Sequence, residues 1–166
     1  ARQARRVLRQ VAPRIVGQLT DLLLDVGTDN LVRRRLPEVI SACRSARAVA
    51  GLVAGLDDPS AEVRERCVWA LHDLVAADAG LKPSDEEVFE LVRREAERPE
   101  SVDLRQLYHL LSLALDPDAV QVALSALSSA DAGLRGTSLE YLDNVLPASV
   151  RDALWPKIDE LVVDRQ

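Results

Sequence analysis

Apolar residues recur along the chain at alternating steps of three and four, in segments separated by short clusters of Asp, Pro, Gly and Ser. That spacing marks consecutive amphipathic helices, and nowhere does the alternation of a half-buried strand appear. It predicts helices over residues 2–11, 14–25, 30–43, 46–56, 60–77, 85–98, 102–115, 118–128, 132–146 and 148–163. Ser84 followed by Glu87 reads as a capping box, in which hydroxyl and carboxylate each satisfy a backbone N–H at a helix opening. Pro59, Pro83 and Pro117 stand just before or at helix starts, where a missing N–H costs nothing. Pro37 falls inside the pattern LVRRRLPEVISAC and predicts a bend in helix 30–43.

A repeat underlies the pattern. Aligning Val32, Val63, Leu104 and Leu134 sets Arg33, Arg64, Arg105 and Arg135 directly after them, at spacings of 31, 41 and 30 residues. Four residues on stand Leu36, Cys67, Tyr108 and Ser138; seven on, Val39, Ala70, Leu111 and Tyr141; eleven on, Cys43, Leu74, Leu115 and Val145. Those offsets trace one helical face. Each such helix follows another amphipathic one, marked by Ile15, Leu19 and Leu22, by Val49, Leu52 and Leu56, by Val88, Leu91 and Val92, and by Val120, Leu124 and Leu127. Helix pairs at this period are the signature of a solenoid.

The stretch LDDPSAEVRERCVWALHDLV, residues 56–75, resembles the second half of a HEAT repeat, with a loop Asp and Pro before a helix that opens on Val-Arg. DNLVRRRLPEVISAC and ADAGLRGTSLEYLDNVL are similar but looser, and the long spacing of the third repeat implies an extended loop near Gly80–Ser84. The resemblance implies an all-α, right-handed α-solenoid of about four antiparallel pairs, over residues 13–43, 46–77, 84–115 and 117–146. Terminal helices 2–11 and 148–163 flank them in a single domain spanning 1–166. It also implies a ladder in which a loop Asp meets the Arg of the following helix, and Asp58 with Arg64 has that spacing.

Composition agrees with helices: 48% of residues are hydrophobic but only 3% aromatic, so Leu, Val and Ala fill the core. The net charge of −6 is unevenly spread, with ten Arg against four acidic residues in 1–47 and an acidic remainder. Cys43 and Cys67 share no CxxC spacing, and His72 and His109 have no ligand at i+3 or i+4, so neither a metal nor another cofactor is expected. No membrane span or secretory signal is visible, which places the expected setting in the cytoplasm. The chain has no Met, so it is expected to be a fragment of a larger protein, and the resemblance suggests a regulatory region of a bacterial one.

No GxGxxG, GxxxxGK[ST] or GxSxG occurs, and Glu86-Glu87 and Asp57-Asp58 stand at predicted helix starts, where they complement the helix dipole. Arg33-Arg34-Arg35 spans about 200° of helix, so the three cannot face one partner. Trp69 and Leu110 share a column off the main stripe; together with Leu107 and Leu113, Leu110 makes its helix apolar nearly all round. Two readings follow, burial between neighbours or an exposed groove.

The function expected is a non-catalytic protein-interaction or scaffolding module whose second helices line a concave face. Its partner would be another protein or peptide, or another domain of the same parent chain. The candidate binding residues are Arg34, Arg35, Arg66, Trp69 and His72, which lie on second helices outside the core columns. HEAT-like DNA glycosylases and bilin lyases are the alternatives. Nucleic acid is disfavoured by the acidic remainder and the scarcity of stacking aromatics, and no lyase chemistry can be located.

Overall fold

A computed structural model describes residues 15–100 and 103–163, and the expected helix 2–11 lies outside them. Among the described residues every regular element is helical. The helices are α1 (residues 15–24), α2 (Asn30–Arg33), α3 (Leu36–Ser41), α4 (Ala46–Gly55), α5 (Ala61–Ala77), α6 (Asp85–Ala96), α7 (Leu104–Leu111), α8 (Pro117–Leu127), α9 (Ala132–Val145) and α10 (Ala148–Val163). No described helix is long and apolar enough to cross a membrane.

The helix starts follow from short polar side chains that accept the first free N–H groups. Asp29, Asp103, Asp116 and Asp131 cap α2, α7, α8 and α9, with bonds of 2.7–2.8 Å to the N–H of Leu31, Arg105, Ala119 and Gly133. The capping box at α6 is complete: Ser84 Oγ accepts from Glu87 N at 3.2 Å, and Glu87 Oε2 accepts from Ser84 N at 2.9 Å.

The segment expected as one bent helix over 30–43 is instead two helices, broken at Arg34 and Arg35. Pro37 has no N–H to donate to the preceding turn and its ring crowds that turn, while Arg34 and Arg35 keep right-handed backbone angles at the break. The chain therefore restarts, and Pro37 occupies the first turn of α3, where no donor is needed.

The chain divides into two compact units, residues 1–82 and 83–166. In the first, α1 lies against α4, and α3 and α4 both pack on α5. The helices meet where glycine leaves room: a Cβ on Gly55 would stand 2.5 Å from Cys67 Sγ of α5 and 3.1 Å from Leu23 of α1. Around that point Leu23, Ile40, Leu52, Cys67 and Leu71 are fully buried.

The first unit also buries charge. Arg33 and Asp58 form an ion pair with side chains only 5% and 2% exposed. Arg33 Nε donates to the Leu23 carbonyl at the end of α1 (2.9 Å), and Asp58 Oδ1 accepts from Ser60 N (2.8 Å). Arg64 Nη1 donates to the Asp58 and Pro59 carbonyls at 3.0 and 3.3 Å. The expected pairing of Asp58 with Arg64 is thus corrected. The carboxylate of Asp58 reaches Arg33 on α2, while Arg64 holds the turn through its carbonyls. Nor does Asp58 merely complement a helix dipole at the surface.

In the second unit α6, α7, α8 and α9 pack in sequence, and α10 returns onto α6 through Val150, Leu154 and Ile158, all buried. Leu107, Leu110 and Leu113 are buried, so the apolar girdle of α7 belongs to the core. Arg135 Nη1 donates to the Ser129 carbonyl at 2.7 Å, six residues back, as Arg64 does to Asp58. Arg105 is exposed and does not follow them. Burial shows why: Ile40, Leu71, Leu111 and Leu142 share one fully buried position, which puts Leu104, not Arg105, in the column of Arg33, Arg64 and Arg135. The alignment drawn from sequence is therefore offset by one residue at α7, and the spacings become 31, 40 and 31.

Removing one member of a buried pair strands the other, at a cost of about 3–5 kcal/mol. Asp58→Asn and Arg33→Leu are each expected to lower the unfolding free energy in urea titrations by about that much, as a lower midpoint at unchanged slope. The double variant should cost clearly less than the two single losses added, because each already breaks the same pair. Additive losses would show that the two side chains act independently.

Candidate recognition groove

The break at Arg34–Arg35 sends three consecutive arginines in three directions. Arg33 turns inward to Asp58. Arg34 Nη1 reaches Glu62 Oε2, in the first turn of α5, at 2.7 Å, and Asn30 Nδ2 stands 3.5 Å from the same oxygen. Arg35 is exposed and, among the described residues, makes no ion pair. The pair at Glu62 pins the arginine end of α2–α3 beside the start of α5.

Between these elements runs an open groove of about 450 Å³, within the range of small recognition sites. Four of the five residues picked out from sequence line it: Arg34, Arg35, Arg66 and Trp69. His72 does not line it and sits half-buried farther along α5. Arg66 and Trp69 are one turn apart on α5, and the guanidinium carbon lies 4.9 Å from the centre of the indole ring. The ring's negative face attracts the cation, and the contact holds the exposed guanidinium over a half-buried ring.

Sequence reasoning missed the groove's acids. Glu38 and Asp73 line it with Leu31, Ser41 and Ala70. Their signal was present: Asp73 stands four residues after Trp69 and seven after Arg66, and Glu38 stands three after Arg35, all same-face spacings. Ser41 Oγ donates to the Glu38 carbonyl at 3.0 Å, which leaves the oxygen's lone pairs free to accept.

The thiols nearby offer no nucleophile. Burial pushes the Cys67 thiol up to about 12 and raises that of Cys43 as well. A thiolate is the reactive form, so at neutral pH both remain unreactive sulfhydryls within the core. Among the described residues no cluster of His, Cys, Asp and Glu is placed to hold a metal ion. The groove presents charged side chains, a ring face and a hydroxyl oxygen. Comparison of the chain with protein-family models, with curated proteins and with solved structures gives no match.

The groove side chains are separable from the fold. Arg34→Ala, Arg35→Ala and Arg66→Ala should each change stability by less than about 1 kcal/mol in urea titrations, as surface ion pairs do. A larger loss for Arg66→Ala would mean that its stacking on Trp69 holds α5 in place.

Proposed function

We propose that this chain is a HEAT-like protein-interaction module and that the groove between α2–α3 and α5 is its recognition surface. The packing of α1 on α4 and of α3 on α5 supports the pair-on-pair reading for residues 15–77. In that reading α3 and α5 are second helices, the ones that face partners in such arrays. The carrying observation is that Arg34, Arg35, Arg66 and Trp69, chosen only because they stand off the core columns, line one groove. Arginine and tryptophan are the residue types most enriched at binding hot spots.

A partner protein or peptide, or another domain of the parent chain, fits this surface better than a nucleic acid. Polyanion binding needs a continuous basic track, and here Glu38 and Asp73 interrupt it.

Panning a phage-displayed library of random linear peptides on the full chain tests the proposal. Enriched peptides are expected to bind at least about tenfold more weakly to Trp69→Ala and to Arg66→Ala, at unchanged helicity by circular dichroism. Peptides that bind the variants as well as the original chain would place recognition elsewhere and reject the groove.

A further inference from the structure

The groove has a polarity that narrows its occupant. On α5 the lining residues follow in the order Arg66, Trp69, Asp73; on the facing segment the order is Arg35, Glu38, Ser41. Because Arg34 is tied to Glu62 at the start of α5, both orders begin at the same end. Charge therefore changes sign along the groove. At one end Arg35 and Arg66 present guanidiniums that make no ion pair among the described residues. Arg34, beside them, is already neutralised by Glu62. At the other end stand the carboxylates of Asp73 and Glu38 and the accepting oxygen of Ser41. The ring of Trp69 lies between.

Building on the reading of the groove as a recognition surface, we infer that its occupant is an extended peptide segment of a partner protein. That segment carries an acidic residue and a basic residue about three positions apart, with an apolar side chain between them. Seven residues of α5 separate Arg66 from Asp73, a rise of about 10 Å at 1.5 Å per residue. An extended chain covers that distance in about three residues at 3.3 Å each. The acid meets the guanidiniums of Arg35 and Arg66, whose planar forks match a carboxylate. The base meets Asp73 and Ser41, and the intervening side chain lies against the exposed part of the Trp69 ring.

An amphipathic helix would need an apolar trough, and this groove is lined mainly by charged side chains. A wholly acidic segment would set like charges against Asp73 and Glu38, and a wholly basic one would do so against Arg35 and Arg66. Each carries a built-in penalty, which makes the arrangement selective for mixed charge.

The peptides enriched from the random library, tested singly by fluorescence anisotropy on the full chain, decide this. They should share the acid, apolar, base pattern at fixed spacing, and Asp73→Lys should weaken them by about tenfold or more. Replacing the peptide's basic residue with Glu should then restore binding to Asp73→Lys while abolishing it with the original chain. Circular dichroism of Asp73→Lys separates misfolding from lost contact, and Asp73 is exposed. Enriched peptides that depend on Trp69 yet are uniformly acidic and indifferent to Asp73→Lys would overturn the mixed-charge occupant while leaving the groove as the binding site. Absence of any Trp69-dependent peptide would overturn both readings, as would a short single-stranded oligonucleotide that binds through Arg35 and Arg66.

Discussion

The first unit depends on one buried ion pair. Arg33, on α2, and Asp58, in the turn between α4 and α5, meet where almost no water reaches. Burying two charges is costly, and their attraction repays that cost only when the remaining donors and acceptors are also satisfied. Here Leu23 supplies a carbonyl to Arg33, Ser60 an N–H to Asp58, and Arg64 ties down the carbonyls of the same turn. A hydrophobic pair of similar volume could pack there at less desolvation cost, but it would not specify a direction. The ion pair fixes where the end of α2 sits over the turn between α4 and α5.

The groove follows from that placement. With Arg33 turned inward, the next two arginines point elsewhere: Arg34 to the first turn of α5 and Arg35 to solvent. The helix break forced by Pro37 separates the arginine triplet from α3, so one residue type performs two jobs within three positions. Buried arginine fastens elements together. Exposed arginine lines the groove with Trp69 and Asp73.

Much of this was legible in the sequence, because apolar periodicity and capping are local physics. The helices appear close to where the three-and-four spacing puts them, and the capping box at Ser84 and Glu87 is present as read. Arg34, Arg35, Arg66 and Trp69 could be found because they are the large polar or aromatic residues left over once the apolar stripe is removed. Three features escaped. The partner of Asp58 lies 25 residues away, and no local pattern distinguishes Arg33 from Arg64 as its mate. The one-residue offset at α7 was hidden because Leu104-Arg105 imitates the apolar-Arg pair while the buried position is Leu104's neighbour in the stripe, Leu111. The return of α10 onto α6 is a choice among several apolar faces, which composition and period leave equally available.

The most direct measurement of the central claim is an NMR titration of the isotope-labelled chain with a peptide selected by the groove. Shift changes should fall on Leu31–Ser41 and Arg66–Asp73, with the indole N–H of Trp69 among them and the Arg33 and Asp58 signals retained. Changes gathered instead on α6 to α10, with those two segments unmoved, would contradict the account.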